Sequence, residues 1–191
     1  MKRFLIELAT IVLIVTGTVS AQGNSQLPKG WIASGNKPSE YEMGIDKTIS
    51  QNGKSSAFIK SKVPKPNDFG TLMQITSAEN YIGKRIKLSG YIKSDSVEGW
   101  SGMWMRIDGE NKQELSFDNM RDRAIKGTTD WKKYEIVLDV PAGSKAIAFG
   151  VLLCGKGKVW FDNMKIVEVD KSVPVTNVTY PKDPVNLDFE E

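Results

Sequence analysis

Residues 27–169 form a series of short segments in which apolar and polar residues alternate, and turn residues separate one segment from the next. No stretch keeps the 3.6-residue period of an amphipathic helix, and the one helical turn that the pattern predicts, at 76–83, is short. Many strands without interleaved helices predict an all-β fold, a two-sheet antiparallel β-sandwich of jelly-roll type. The predicted strands are 55–62, 70–76, 84–94, 102–109, 113–119, 131–140, 145–155 and 157–169.

The segment GMWMRIDG at 102–109 has one apolar face and one face that mixes an aromatic ring with charges. Its odd-numbered residues from Met103 to Ile107 are apolar and are predicted to face the core. Trp104, Arg106 and Asp108 fall on the opposite face. A face that is exposed only to water has no need of a tryptophan. We therefore predict that this face is a binding surface.

This predicted surface suits a carbohydrate, which presents apolar C–H faces between its hydroxyl groups. An aromatic ring packs against the C–H faces, while guanidinium, carboxylate and amide groups bond the hydroxyls. The alternative is that the loop at 119–131 covers Trp104, which would make the cluster structural. The predicted ligand-binding residues are Gln74, Tyr91, Trp104, Arg106, Asp108 and, at the edge, Asp118.

The composition excludes several classes of catalytic site. The chain has no histidine, which removes Ser-His-Asp and Cys-His catalysis and His-ligated zinc. Its one cysteine, Cys154, cannot form an internal disulfide, and its apolar neighbours predict a buried thiol. A formal net charge of +3 is too weak to indicate a nucleic-acid partner. A glycosidase needs two carboxyl groups across a cleft; Asp108 and Asp118 are the pair nominated for this disfavoured alternative.

The N-terminal residues predict export. Lys2 and Arg3 precede an apolar run, and the small residues that end at Ala21 match the pattern that signal peptidase cleaves. Cleavage after Ala21 predicts a secreted or periplasmic protein without membrane insertion, and an uncleaved anchor is the alternative. The predicted organisation is a signal peptide at 1–21, a disordered N-terminus at 22–26, the sandwich at 27–170, and a proline-containing tail or extra strand at 171–191.

Several motifs resemble those of small bacterial β-sandwich modules that occur fused to AraC-type helix-turn-helix regulators and beside tail-specific serine peptidases. The motifs are FGTLMQ, GWSGMWMRIDG, IKGTTDW and VWFDN, within a resemblance that spans residues 27–169. More distantly, the layout resembles galactose-binding-like and xylanase-associated carbohydrate-binding modules. The resemblance implies a galactose-binding-like jelly roll with a non-catalytic accessory or sensing role. No DNA-binding helix pair is recognised in the sequence, so the regulators' own function is not transferred.

The same resemblance implies a structural calcium ion. In sugar-binding sandwiches, a carboxylate at the position of Asp162 joins an early loop in holding Ca²⁺, and Asp46 and Glu42 are the candidates from that loop. The alternative is that Asp162 caps a turn through the neighbouring backbone. The motif NLDFEE at 186–191 resembles the start of a further module, or forms a terminal strand that closes this sandwich.

Together these observations predict an exported, non-catalytic ligand-binding module whose partner is a carbohydrate. The alternative is a structural or protein-interaction module of the cell envelope that senses or docks a protein and has no sugar ligand. The oligomeric state is left open by the sequence.

Overall fold

The computed structural model describes residues 26–176, 184 and 186–190, and the predicted signal peptide lies outside these residues. In this part of the chain β-strands alternate with short 3₁₀ turns, and no helix is long and apolar enough to cross a membrane. The strands are β1 (Ile32–Gly35), β2 (Tyr41–Asp46), β3 (Ser56–Ser61), β4 (Phe69–Ser77), β5 (Arg85–Asp108), β6 (Glu114–Asp118), β7 (Ile125–Asp139), β8 (Ala146–Cys154) and β9 (Lys158–Val169).

All of the predicted strand segments are strands, so the all-β prediction is confirmed. Two of the segments, 84–94 and 102–109, form a single long strand, β5. The predicted helical turn is a 3₁₀ turn at Glu79–Tyr81, where Ser77 Oγ accepts a hydrogen bond from the Glu79 N–H at 3.2 Å. Strands β1 and β2 are not predicted by the sequence pattern. The first has only four residues, too few for alternation to be visible.

All strand pairs are antiparallel, and they build two sheets that share β5. The front sheet has the order β1-β4-β8-β5-β6 and uses the second half of β5, Trp100–Asp108. The back sheet has the order β2-β3-β9-β5-β7 and uses the first half, Arg85–Asp95. This is the predicted two-sheet antiparallel sandwich.

Strand β5 passes from the back sheet to the front sheet through a bend at 95–99. Its pairing with β7 shifts register along the bend, and Ser96 adopts a φ of 52°. The buried Ser94 hydroxyl donates to the carbonyl of Gly127 at 3.1 Å. This bond joins β5 to β7 in the stretch where their register shifts. β5 is one continuous strand through the bend, so it connects the two sheets.

The core lies between the two sheets. β5 alone contributes Ile86, Leu88 and Ile92 from the back sheet and Met103, Met105 and Ile107 from the front sheet. All of these side chains are fully buried, and burial of one such side chain stabilises the fold by about 1.5–3 kcal/mol. The core therefore fixes which face of each sheet is left for solvent and ligands.

The residues after β9 are held against the back sheet by Arg85. Its guanidinium bonds both carboxylate oxygens of Asp139 on β7, at 3.0 and 2.9 Å, and its Nη1 donates to two carbonyls in residues 171–173. Thr176 then bonds the outer edge of β7. The described residues after Val169 contain no strand.

Candidate ligand-binding cleft

The outer face of the front sheet carries a cleft of about 600 Å³, and all five strands of the sheet line it. The larger apolar side chains of the lining are Phe69, Met73, Trp100, Trp104, Phe117 and Leu152. Its polar side chains include Ser34, Asn36, Asp68, Arg106, Asn119 and Arg121. The cleft therefore lies on the face of β5 that carries Trp104 and Arg106.

Trp104 forms the floor of the cleft. Its indole N–H donates to Thr71 Oγ1 at 2.8 Å, and Thr71 lies on β4, with β8 between it and β5. The indole therefore crosses β8 and lies along the sheet, packed with Met73, Ala148 and Leu152. Trp104 is 8% exposed, so a small part of its ring borders the cleft, while its N–H is bonded to Thr71.

Two half-buried aromatic side chains stand at one end of the cleft. Phe69 on β4 and Trp100 on β5 flank Cys154 on β8, because both are strand partners of that residue. The Arg121 guanidinium lies over the Trp100 ring, with its Cζ 4.6 Å from the ring centroid. Cys154 is half-buried and lines the cleft, so the prediction of a buried thiol is wrong. The fully buried neighbours Val151 and Leu153 lie on the inner face of β8. Cys154 lies on the outer face, where it lines the end of the cleft.

The other end of the cleft carries a guanidinium whose orientation is fixed. Arg106 Nε and Nη2 donate to the two carboxylate oxygens of Asp108, at 2.7 and 3.0 Å. The bonds to Asp108 raise the pKa of Arg106 above its ordinary value, so the cation persists across the usable pH range. The Nη1 group of Arg106 takes no part in these two bonds. Phe117, the strand partner of Arg106 on β6, stands beside it.

Asp118 fixes the loop that follows β6. Its Oδ1 accepts the Met120 N–H at 2.8 Å, and its Oδ2 accepts a bond from Arg123 at 2.6 Å. The Met120 side chain is fully buried and its φ is 59°. The loop stands at the wall of the cleft, to which it contributes Asn119 and Arg121. Trp104 and Arg106 line the cleft beside this loop, and the Asn119 carbonyl oxygen lies 2.8 Å from the position of a Cβ on Gly102.

Three of the predicted ligand-binding residues share the outer face of the front sheet, and three do not. Trp104 and Arg106 line the cleft, and Asp108 lies buried behind Arg106. Gln74 points away, because the outer face of β4 carries the odd-numbered residues and Gln74 Nε2 lies 3.4 Å from the position of a Cβ on Gly30. Tyr91 lies in the back sheet, since β5 changes sheets after it.

Asp118 is the third residue that the structure places elsewhere. It is the strand partner of Met105, which faces the core, so its side chain lies on the inner side of the sheet. Asp108 lies on the outer side, bonded to Arg106. The nominated glycosidase pair therefore does not face across the cleft.

Several residues of the cleft are not among the ligand-binding residues predicted from the sequence. Trp100 could have been assigned to it, because it lies four residues before Trp104 and so shares its face of the strand. Phe69 and Phe117 could not, because their positions depend on which strands pair. Arg121 lies in a loop between strands, and such a loop has no periodicity from which its direction could be predicted.

Two of the predicted calcium ligands, Asp46 and Asp162, accept hydrogen bonds from N–H groups. Asp46 accepts hydrogen bonds from the Trp160 indole at 2.8 Å, from Lys158 Nζ at 3.0 Å and from Thr48. Burial raises the pKa of Asp46, but these hydrogen bonds outweigh it and hold the pKa well below the ordinary value. An ammonium group at a carboxylate oxygen occupies the place that a cation would need, so this set does not fit Ca²⁺.

Asp162 likewise accepts hydrogen bonds, in its case from backbone N–H groups. Its Oδ2 accepts the N–H groups of Gln51 and Asn52 at 3.0 and 3.1 Å, and its Oδ1 accepts the Asn163 N–H at 2.7 Å. This is the turn-capping alternative of the sequence analysis. Glu42 lies on β2 opposite Lys60. Within the described residues, no group of three or more His, Cys, Asp or Glu side chains is arranged to hold a metal ion.

No family model matches the chain. The chain is 47% identical over 168 residues to the uncharacterized HTH-type transcriptional regulator YbfP of Bacillus subtilis, a match that spans 85% of this chain and 57% of the regulator's length. The described residues of this chain contain 3₁₀ turns and no α-helix. The helix-turn-helix for which the regulator is named therefore has no counterpart in the region that the structure describes.

Solved structures with a similar fold include xylan-binding domains. The CBM22-1 xylan-binding domain of Paenibacillus barcinonensis Xyn10C matches with a TM-score of 0.55 at 16% identity, over 76% of this chain and 90% of that one. The C-terminal family 22 carbohydrate-binding module of Clostridium thermocellum Xyn10B has a TM-score of 0.52 at 11% identity, over 73% and 86%. The Stig cyclase Fisc of Fischerella sp. TAU has a TM-score of 0.51 at 14% identity, over 76% and 87%. These likenesses confirm the jelly-roll fold.

Proposed function

We propose that the protein binds a saccharide in the cleft of the front sheet and does not alter it chemically. The observation that carries this proposal is the distribution of the lining side chains. Phe69 and Trp100 stand at one end, Phe117 stands at the other, and Trp104 forms the floor between them. A sugar chain laid along the sheet would present its C–H faces to these rings and its hydroxyl groups to the polar rim.

The rim offers both donors and acceptors to hydroxyl groups. Arg106 is held in place by Asp108, and Asn36 Nδ2 donates to Asp68 Oδ2 at 2.8 Å. Hydrogen bonds from Asn36 and from the Phe69 N–H hold the pKa of Asp68 below its ordinary value, so Asp68 is an ionised acceptor at neutral pH. A hydroxyl both donates and accepts, and this rim can satisfy both roles.

The comparisons support a saccharide as the ligand. The Paenibacillus domain binds xylan, and cleft residues of the Clostridium module act in ligand binding. At such low sequence identity the likeness concerns the fold, so the proposal depends on the side chains of this cleft.

Two features support binding without catalysis. Among the described residues that line the cleft, Asp68 is the one carboxylate, whereas hydrolysis of a glycosidic bond needs two carboxyl groups on either side of the bond. The sequence also has no histidine to serve as a general base.

The proposal is tested by a glycan array followed by calorimetric titration of the full chain with xylohexaose and with each saccharide that the array identifies. We expect Trp100→Ala to weaken binding about tenfold, because stacking on one ring contributes about 0.5–1.5 kcal/mol beyond its buried area. Trp131→Ala is the matched control, since Trp131 is half-buried and lies outside the cleft lining. Absence of binding to every saccharide, or equal losses in both variants, would contradict the proposal.

A second candidate function is protein interaction or sensing. The observation that favours it is the 47% identity to an uncharacterized HTH-type transcriptional regulator. Exposed aromatic and arginine side chains also suit a protein contact. A pull-down from envelope extract distinguishes the two candidates. A partner that stays bound in excess saccharide, and is lost in the Trp100→Ala variant, would favour this second function.

Export belongs to the same proposal. The signal-peptide pattern of residues 1–21 supports it. Mass spectrometry of the protein recovered outside the cytoplasm should find Gln22 as its first residue, and recovery of a chain that still contains residues 1–21 would contradict cleavage.

A further inference from the structure

The arginines in the described part of the chain differ in their ion pairing. Three of them pair with aspartates: Arg85, Arg106 and Arg123. Across residues 26–176, the fourth, Arg121, has no carboxylate within ion-pair distance, although Asp118 and Asp122 lie close to it in the sequence. Arg121 is exposed and lines the cleft.

The carboxylates nearest to Arg121 in the sequence are bonded to a different residue. Arg123 binds Asp118 at 2.6 Å and Asp122 at 2.9 Å. The Arg121 N–H donates to Asn119 Oδ1 at 3.0 Å, and the Met120 side chain next to it is fully buried. The loop is therefore anchored on both sides of Arg121, and its fixed geometry presents the guanidinium to the cleft.

The guanidinium is also held from within the cleft, over the Trp100 ring at 4.6 Å. A guanidinium held over a ring face still has N–H groups that can bond a further partner. The one carboxylate of the cleft lining, Asp68, stands next to β4, two strands away from Trp100 on β5. That separation is about 10 Å at the usual strand spacing, and Asp68 already accepts bonds from Asn36 and from the Phe69 N–H.

Resting on the proposed function, we infer that the saccharide carries a carboxylate, as a uronic acid does, and that Arg121 binds this carboxylate beside Trp100. A carboxylate matches the two parallel N–H groups of a guanidinium edge, and such charge-assisted pairs are about twice as strong as neutral hydrogen bonds. The Trp100 ring would hold the C–H face of the same sugar. The acidic sugar would then sit at the end of the cleft that Phe69 and Trp100 form.

Matched saccharides test this inference with the full chain. Oligogalacturonate is compared with its methyl ester, and xylo-oligosaccharides are compared with and without a glucuronic acid branch, each by calorimetric titration. We expect the acidic form of at least one pair to bind about tenfold more tightly, and the preference to shrink as salt rises from about 0.05 to about 0.5 M. Arg121→Gln should abolish the preference, and Arg121→Lys should retain part of it because the charge remains.

Lys126→Gln is the control, because it removes one exposed positive charge at the start of β7, five residues after Arg121, and lies outside the cleft lining. It should keep the preference. Equal binding of acidic and neutral forms, or a preference that persists in Arg121→Gln, overturns the inference while the proposed saccharide binding stands. If neither form of either pair binds and the glycan array is also negative, the proposed function fails as well.

Discussion

At the scale of single residues, the cleft depends on how Trp104 is held. Its indole spans β8 to reach Thr71, and the Thr71 hydroxyl in turn donates to the carbonyl of Val151 at 2.8 Å. Both side chains are buried, so this short chain of hydrogen bonds satisfies groups that water does not reach. The ring stays flat as a result, and that orientation gives the cleft its floor.

Trp104→Phe tests this arrangement, because it keeps a ring but removes the N–H. We expect the free energy of unfolding to fall by about 1–3 kcal/mol, from the lost hydrogen bond and the smaller ring. Urea denaturation of Trp104→Phe, Thr71→Val and the double variant measures the coupling free energy between the two side chains. We expect it to be about 1 kcal/mol. Additive losses would show that the bond between the two side chains contributes nothing to stability.

Within β5 the alternation of the sequence predicts the faces correctly, but contacts between strands are not predicted. Alternation in β5 placed Trp104 and Arg106 on one face and Met103 and Met105 in the core, because side chains in a strand alternate with a period of two. The partner of the indole could not be predicted, since Thr71 is 33 residues away in the sequence. A local pattern contains no information about which distant strand becomes a neighbour.

At the scale of strands, β8 and β4 approach so closely that one position requires glycine. A Cβ on Gly150 would lie 2.3 Å from the Leu72 carbonyl oxygen and 2.9 Å from the Met73 Cα. Both are backbone atoms, which cannot move aside without breaking the pairing of β4 with β8. Gly150 is also the β8 partner of Trp104. The absence of a side chain there leaves room for the indole ring that crosses β8 and forms the cleft floor.

Gly150→Ala should therefore destabilise the front sheet by about 1–3 kcal/mol, the usual cost of overpacking a buried site. Hydrogen exchange should show faster exchange for amides of β4 and β8 than for those of the back sheet. Gly53→Ala is the control for location: nothing lies within 4 Å of its Cβ position, but its φ of +73° strains an alanine there. Its effect should be confined to that turn, so faster exchange of the β4 and β8 amides in both variants would contradict the close approach.

Strand-level prediction from the sequence failed at one place that matters for the site. Segments 84–94 and 102–109 each showed clear alternation, but alternation does not reveal which sheet a segment joins. The bend at 95–99 moves the chain from one sheet to the other, so Tyr91 and Trp104 belong to opposite outer faces of the sandwich. Non-local pairing decides this, and it decides equally that Phe69 and Phe117 reach the cleft.

At the scale of the whole molecule, one polar cluster connects the back sheet to the residues that follow β9. Arg85 on β5 binds Asp139 on β7, and Lys171 binds the same carboxylate at 2.8 Å. The bonds from Arg85 and then from Lys171 lower the pKa of Asp139 to about 2. Because the carboxylate is ionised in the folded chain at a pH where it would be protonated in the unfolded chain, its stabilisation depends on pH.

The sign of that dependence follows from the lowered pKa. The stabilisation is fully present above the unfolded value of about 3.9 and is lost as the pH falls to about 2. Asp139 is partly exposed, with 43% of its side chain accessible, so solvent screening limits the contribution to about 1 kcal/mol. We expect Asp139→Asn to lower the free energy of unfolding by that amount at pH 7 and to lose less stability than the native chain between pH 4 and pH 2, as measured by urea denaturation. Asp188→Asn, at an exposed position after the sandwich, is the control. If the free energy of unfolding of both variants follows the same pH dependence as that of the native chain, the cluster around Arg85 does not contribute to acid stability.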